Sequence, residues 1–215
     1  MIQRDIDLFY WINSHHTPWL DWVMWVASQG WSWAVVLVAA IVYMAVRQSR
    51  WQWLWILGGI GLCFLLSDRI SVLCFKEVFC RLRPCHALEG VRMFRTSCGG
   101  SYGFVSSHAA NVFALAMFLS LWQRKHTRQE RHTPQSLRDS SPNLGEQRLP
   151  RVSIFNFQFS IFAWACLVCY SRPYLGKHYP GDVVCGAALG LAVGGVVFCI
   201  VRWGEKYFQK KSSKK

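Results

Sequence analysis

The chain has 215 residues, of which 53% are hydrophobic and only 16% are charged. This composition excludes an ordinary soluble globular domain and predicts a single membrane domain that comprises residues 1–215. The formal net charge of +13 fits a protein that meets either nucleic acid or anionic lipid, and the distribution of the basic residues favours lipid.

Residues 1–28 predict two helices at the membrane interface. Residues 4–14 have an amphipathic pattern, and three tryptophans recur at every third position of the apolar stretch 17–28. This stretch is short and contains Asp21, which makes its assignment ambiguous. It could instead be the start of a longer, broken span. The N-terminus lacks a basic segment followed directly by an apolar core, so we expect no cleaved signal peptide.

Five later stretches approach the length of about 20 apolar residues that a transmembrane helix needs. They are 30–46, 51–74, 107–122, 153–170 and 183–201. The second helix is predicted to continue to Arg83, because nothing interrupts it before Pro84. The predicted fold class is therefore all-α, a polytopic membrane bundle of five to six transmembrane helices with an amphipathic, interfacial helix at its N-terminus.

The basic residues predict how this bundle is oriented. Two of them lie in 47–50, seven in the segment 124–151 and six in the C-terminal tail. If the five spans alternate, all of these residues lie on one side, which the positive-inside rule makes cytoplasmic. The sequence therefore predicts a mobile, basic cytoplasmic loop at 124–151 and a basic cytoplasmic tail at 203–215. The loop 76–106 and the connection 171–181 then lie on the extracytoplasmic face.

Three polar patches interrupt the apolar chain at predicted span ends, where polar residues are costly and usually functional. The first patch is Lys76 with Arg83-Pro84. On a continuing helix the separation of seven residues places both cations on one side, in a stripe that Arg69 shares. One interpretation is that they snorkel to lipid headgroups. The other is a clamp on a phosphoryl group, whose oxygens arginine binds in bidentate fashion and lysine as a point charge.

The second patch is Ser106-Ser107-His108, at the start of a predicted helix. Either serine is a natural N-cap, and a helix N-terminus also attracts anions. A capping role does not account for His108. A histidine in the first turn of a span could donate a proton to a leaving group.

The third patch contains Ser171-Arg172, His178 and Asp182. Pro180 fits the first turn of a helix, which places His178 just outside that helix and Asp182 within its first turn. An acid near a histidine fixes its tautomer and stabilises the imidazolium. Two histidines and an acid could also bind zinc, but four surrounding cations disfavour a metal, and we predict none.

Two pairs of cysteines stand out. Cys85 and Cys98 lie in the loop 76–106, where a disulfide could form if the loop is outside the cytoplasm, and the sequence leaves this open. Cys166 and Cys169 have the CxxC spacing, but no second pair accompanies them. We therefore predict no metal or redox role for that motif.

In order and spacing, the three patches resemble the signature of the type 2 phosphatidic acid phosphatase (PAP2) superfamily, which reads K-x6-RP, PSGH and SR-x5-H-x3-D. The first and third patches match at every defined position. In the second patch, Val105 and Ser107 stand where the family has proline and glycine. Since glycine permits close backbone approach, Ser107 is expected to keep the phosphate cradle and to add a hydroxyl donor.

The resemblance to the membrane branch of this family implies a phosphatase that needs no metal or cofactor and works through a phosphohistidine. His178 would be the nucleophile, Asp182 its orienting partner, and His108 the group that protonates the leaving oxygen and later activates water. The residues implied to hold the phosphoryl oxygens are Lys76, Arg83, Ser106, Ser107 and Arg172.

The expected function is a lipid phosphate or diphosphate phosphatase of a bacterial inner membrane, with its site facing the periplasm. We expect undecaprenyl (polyprenyl carrier) diphosphate first among its substrates, followed by phosphatidylglycerol phosphate and the phosphates of lipid A. A lipid phosphotransferase on the same scaffold and a non-enzymatic lipid-binding or transport protein are the alternatives. The expected partners are the bilayer and the lipid substrate, with no nucleic acid and no obligatory protein partner.

Overall fold

A computed structural model of the protein describes residues 2–45, 52–132 and 154–212. These residues form helices joined by short connections. Within the described ranges, extended chain pairs only at an isolated bridge between Leu82 and Tyr102. The all-α prediction is therefore confirmed.

The helices are distributed over all three described ranges of the chain. Three helices precede the first gap: α1 (Ile2–Ser14), α2 (Pro18–Ser28) and α3 (Gly30–Ala45). The middle range contains α4 (Gln52–Ile70), a π-helical turn (Ser71–Lys76), α5 (Glu77–Phe79), α6 (Pro84–Ala87) and α7 (Ser107–His132). The last range contains α8 (Ile154–Tyr174) and α9 (Pro180–Ser212).

Helix α7 lies at the centre of the core and packs against α4, α8 and, most extensively, α9. The α7–α9 contact depends on three glycines four residues apart on α9, namely Gly186, Gly190 and Gly194. A Cβ at each position would press on a backbone carbonyl oxygen of α7 or of the residue before it. Small residues at this spacing let helix backbones approach closely. The two helices therefore run parallel, with their N-termini side by side.

The N-terminal helix α1 is amphipathic, as predicted, with Phe9 and Ile12 buried and Trp11 exposed. In α2, Asp21 is only 4% exposed although it lies in an apolar stretch. Its carboxylate accepts hydrogen bonds of 2.8 and 2.6 Å from Arg92 and one of 2.7 Å from the Tyr174 hydroxyl. Since a buried charge needs such partners, this cluster fixes α2 to the end of α8.

Two helical stretches are each long and apolar enough to cross a membrane, Gln52–Phe79 and Pro180–Lys211. Helices α2 and α3 are bent by 66° at their junction and qualify together as a third span or a re-entrant loop. The stretch 17–28 therefore forms the first arm of a bent helix pair, a form that both a broken span and a re-entrant loop share. Helices α7 and α8 occupy two further predicted stretches, and the total of five to six spans stays a prediction.

The prediction that one helix continues from the second span to Arg83 is wrong. The helical stretch ends at Phe79, because Cys80 adopts a left-handed conformation with φ of 46° and donates its N–H to the Lys76 carbonyl oxygen. Arg83 follows in extended conformation. The π-helical turn at Ser71–Lys76 also changes the helical phase. Lys76 and Arg83 are therefore not neighbours on one helix face, nor do they continue a stripe from Arg69.

The predicted loop 124–151 is wrong at its start, where α7 continues as helix to His132. Lys125 forms a salt bridge with Glu205 of α9, which ties the ends of the two helices together. Likewise α9 continues to Ser212, so most of the predicted tail 203–215 is helical. The basic linker 47–50 and the remainder of the loop lie outside the described residues.

Candidate active site

The three polar patches meet at one end of the bundle. In the part of the chain that the structure describes, helices α5 and α8 end here, and helices α7 and α9 begin here. The Ser106 N–H donates a 3.0 Å hydrogen bond to the Asp182 carbonyl oxygen, which joins the second patch to the third. Lys76 Nζ donates a 2.7 Å hydrogen bond to Ser107 Oγ, which joins the first patch to the second. Residues that are far apart in sequence therefore form one cluster.

His178 lies within this cluster and is only 1% exposed. Its Nδ1 is 3.7 Å from Asp182 Oδ2, and its Nε2 is 3.0 Å from Arg83 Nη1. The sequence predicted that α9 begins at Pro180, with the histidine outside it and the acid in its first turn, and this is confirmed. Burial, reinforced by the charges of Arg172 and Arg83, holds the pKa of His178 well below its usual range. The imidazole is therefore neutral at neutral pH.

Two guanidinium groups, that of the buried Arg172 and that of the partly buried Arg83, flank the histidine. Arg172 is 2% exposed, and its Nε and Nη1 have no hydrogen-bond partner. Arg83 Nε and the Ser106 hydroxyl are likewise buried without a partner. Burial also lowers the pKa of Arg83. Buried charged donors without acceptors are costly, so this arrangement is suited to an anion with several oxygen atoms.

The sequence suggested that either serine of the second patch caps α7, but their side chains have other environments. Ser106 immediately precedes α7, yet its Oγ makes no hydrogen bond to the helix. Ser107 is the first residue of α7, and its hydroxyl contacts Lys76 and the hydroxyl of Ser71, each at 2.7 Å. The Ser106 hydroxyl therefore stays available to a ligand at a helix N-terminus, where an anion is favoured.

His108 lies in the first turn of α7, as predicted. Its ring packs edge-to-face on Trp33 of α3, with ring centroids 5.2 Å apart. Arg172 and Arg83 are close enough to act on it electrostatically. The second histidine therefore lies beside the same cations as the first.

Sequence reasoning missed three charged residues at this end of the bundle. Arg81 forms salt bridges with Asp182 and with Asp5 of α1, each at 2.7 Å. Lys177 is half-buried, and burial together with the neighbouring Arg172 and Arg83 lowers its pKa to about 8. Lys177 was detectable as a cation inside the third patch, but no local pattern links Asp5 to Arg81.

The loop between the first two patches is closed by a disulfide between Cys85 and Cys98, whose Cα atoms are 5.9 Å apart. Among the described residues, His86 with these two cysteines is the one cluster with metal-ligand spacing. Sulfur atoms in a disulfide cannot act as thiolate ligands. Cys166 and Cys169 are free thiols.

A helical membrane bundle with buried cations around a histidine and an acid has the parts that phosphoryl transfer requires, namely positioning and charge stabilisation. This combination of fold and site defines a membrane phosphatase. The chain belongs to the PAP2 superfamily, whose model matches residues 53–206.

Two relatives are similar to nearly the whole chain. A protein named lipid A 4'-phosphatase from Porphyromonas gingivalis is 28% identical over 201 residues, which are 92% of this chain and 73% of the relative. A protein of the same name from Bacteroides thetaiotaomicron is 30% identical over 210 residues, which are 92% of this chain and 76% of the relative. Family and relatives together make this protein a membrane-embedded lipid phosphatase.

Two solved structures share the fold. The crystal structure of Aquifex aeolicus LpxE aligns with 89% of this chain and 93% of its own, at 21% identity and a TM-score of 0.54. The transmembrane PAP2-type phosphatidylglycerolphosphate phosphatase from Bacillus subtilis aligns with 95% of this chain and 86% of its own, at 21% identity and a TM-score of 0.60. These alignments extend beyond the matched family region into the N-terminal helices.

Proposed function

We propose that the protein hydrolyses a phosphate monoester of lipid A through a phosphohistidine, at the periplasmic face of the inner membrane. The observation that carries the proposal is the set of buried donors without acceptors around His178, in Arg83, Arg172 and Ser106. A phosphoryl group supplies the oxygen atoms that such donors need. The choice of lipid A is supported by the names of the two relatives. It replaces polyprenyl diphosphate as the first candidate.

In the first step, His178 Nε2 attacks the phosphorus, so that an N–P bond forms and the P–O bond to the lipid breaks. Arg83 Nη1, 3.0 Å from this nitrogen, is in position to bind a phosphoryl oxygen. Asp182 Oδ2, near Nδ1 on the other side of the ring, stabilises the positive charge that the ring gains. His108, which the negative charge of the bound phosphoryl group keeps protonated despite the neighbouring cations, donates its proton to the leaving oxygen of the lipid.

In the second step, His108 has lost its proton and accepts one from a water molecule. The water oxygen attacks the phosphorus, the N–P bond breaks, and inorganic phosphate leaves. His178 is again neutral and His108 again protonated. The guanidinium groups of Arg83 and Arg172 and the ammonium of Lys76 stabilise the charge on the phosphoryl oxygens throughout.

The periplasmic orientation is supported by the basic residues at the other end of the long helices. Arg124 and Lys125 lie toward the end of α7 that is remote from the site, and Arg202 and Lys206 lie in the corresponding part of α9. The positive-inside rule assigns that end to the cytoplasm. The disulfide Cys85–Cys98 on the site's side fits an oxidising compartment.

The test is phosphate release by the purified protein from lipid A, phosphatidylglycerol phosphate, phosphatidic acid and undecaprenyl diphosphate. We expect the highest kcat/KM with lipid A, and none with His178→Ala. The matched control is His86→Ala, since His86 is exposed on the same face. Full activity of His178→Ala would overturn the phosphohistidine mechanism, and a clear preference for another lipid would overturn the choice of substrate.

Labelled substrate separates the remaining alternatives. The wild-type protein should form an acid-labile phosphoenzyme that His178→Ala does not form, and the label should end in inorganic phosphate. Transfer of the label to a lipid acceptor would identify a phosphotransferase, and no turnover with any lipid would favour a binding or transport protein. Because the cations of the site repel a divalent metal, EDTA should leave kcat unchanged. Loss of activity that one divalent metal restores would contradict this.

A further inference from the structure

Arg81 lies beside the candidate site but belongs to none of the three patches. Its Nη1 donates a 2.7 Å hydrogen bond to Asp182 Oδ1, and its Nη2 donates one of the same length to Asp5 Oδ2. The guanidinium also lies 4.0 Å from the centroid of the Tyr179 ring. A planar guanidinium can hold two carboxylates in a fixed geometry, which an ammonium cannot do. One side chain thus links α1 to the acid that faces His178.

Asp5 makes a second contact with the same part of the site. Its Oδ1 accepts a 2.7 Å hydrogen bond from the Gly181 N–H, in the first turn of α9. A Cβ on Gly181 would lie 2.9 Å from Asp5 Oδ2, so the absence of a side chain lets the carboxylate reach the helix end. A carboxylate at a helix N-terminus is favourable because it meets free N–H groups and the positive end of the dipole. Asp5 therefore binds both Arg81 and the turn that carries Asp182.

These contacts determine how Asp182 is turned. Its carboxylate is fully buried, with Oδ1 bound to Arg81. Its Oδ2 accepts a 3.1 Å hydrogen bond from the Tyr179 N–H and lies 3.7 Å from His178 Nδ1. Because Arg81 occupies one oxygen, the other is the one that faces the histidine.

We infer that Asp5 and Arg81 are positioning residues for the reaction, which hold the Asp182 carboxylate so that Oδ2 faces His178. Helix α1 is then part of the active site rather than only a membrane-surface element. Asp5 lies outside residues 53–206, the region that the family model matches. The inference rests on the proposed role of His178 as the nucleophile.

The first test uses Asp5→Asn, which keeps the shape of the side chain and removes its charge. We expect kcat to fall about 10-fold, since a small misplacement of a reacting group is enough for such a loss, while KM stays within about 2-fold. Arg81→Met should lose at least as much. In the double variant the two losses should not multiply, because both substitutions break the same chain of contacts.

The second readout is the pH profile of kcat/KM. If Asp5 and Arg81 had a merely structural role, their substitutions would not shift this profile in opposite directions. His178 faces Arg83 and Lys76 from the first patch, Arg172 from α8, Asp182 from α9 and His108 from α7, and all of these stay in both variants. Removing the cation in Arg81→Met favours the imidazolium, so the acid limb should move to higher pH. Removing the anion in Asp5→Asn should move it to lower pH. Ionisation of the substrate contributes equally to the pH profiles of all variants, so it does not cause a difference between them.

Asp7→Asn is the matched control, because Asp7 is exposed on the same helix and bonds to Gln3 within it. It should retain the wild-type kcat and pH profile. Arg81→Lys keeps the charge but cannot bridge both carboxylates. It should lose kcat without a shift of the acid limb, and it remains informative if Arg81→Met does not fold.

The outcomes separate this inference from the proposed function. Wild-type kcat and pH profiles in Asp5→Asn and Arg81→Lys, alongside an inactive His178→Ala, would overturn the inference and leave the proposed function intact. Losses in these variants that match a lower folded fraction, with no change in kcat per folded protein, would also overturn it. Retained turnover in His178→Ala would refute the proposed function itself.

Discussion

The ammonium of Lys76 donates a 2.7 Å hydrogen bond to the hydroxyl of Ser107. This contact joins the end of one long helix to the beginning of another, and Ser71 reinforces it with its own hydroxyl at 2.7 Å from Ser107 Oγ. Ser107 stands where the signature of the family has glycine. The added hydroxyl therefore makes an interhelical contact that glycine could not make.

Replacing Ser107 should reduce stability more than activity. Ser107→Ala removes hydrogen bonds to Lys76 and Ser71 in a buried position, so the free energy of unfolding should fall by about 1–3 kcal/mol. Turnover should persist, because the family's glycine also lacks this hydroxyl. The measurement is the thermal midpoint in detergent together with kcat. Ser160→Ala is the control, since this exposed hydroxyl bonds only within its own helix. Equal midpoints for the two variants would contradict the prediction.

Arg172 should be needed for binding of the phosphoryl group. Arg172→Lys replaces two unpaired N–H donors with a point charge, so kcat/KM should fall about 100-fold or more. Orthovanadate, as a phosphate analogue, should raise the thermal midpoint of the wild-type protein and not that of Arg172→Lys. The exposed Arg202 provides the control substitution Arg202→Lys. A vanadate-stabilised Arg172→Lys would show that the anion binds elsewhere.

Lys177 should make KM depend on pH in the alkaline range. Burial, with Arg172 and Arg83 nearby, lowers the pKa of Lys177 to about 8, so its ammonium is charged at neutral pH and loses its charge as the pH rises through that value. An anionic substrate binds the charged form better, and KM should therefore rise above about pH 8. In Lys177→Arg this rise should disappear, whereas the exposed-site control Lys206→Arg should keep it. Identical KM profiles in all three proteins would exclude this role.

The disulfide should stabilise the loop that carries Arg83 into the candidate site. Cys85 and Cys98 are 13 residues apart, and closing a loop of this size contributes about 3 kcal/mol by restricting the unfolded chain. Replacing both by serine should lower the thermal midpoint, and a reductant should do the same to the wild-type protein only. Cys80→Ser is the control, since Cys80 is an exposed free thiol. Detection of both residues as free thiols in the native protein would refute the disulfide.

Much of the fold could be predicted because its signals are local. Long apolar runs indicate membrane helices wherever they stand, and Pro180 indicates a helix start from its own missing N–H. The predictions that were wrong concern helix ends. Neither the π-helical turn before Lys76 nor the left-handed Cys80 has a clear sequence signal, because tertiary packing selects such conformations.

The amino-acid sequence alone establishes an α-helical membrane protein, together with the histidines, cations and acid that its three patches contribute. Composition and short spacings carry that information, since each signal spans only a few residues. Helix packing determines which donors stay unpaired around His178, and it brings Asp5 to Arg81, 76 positions away, at the N-terminal end of α9. Contacts over such distances leave no periodic trace in the sequence, because they arise when helices pack and bring their ends together.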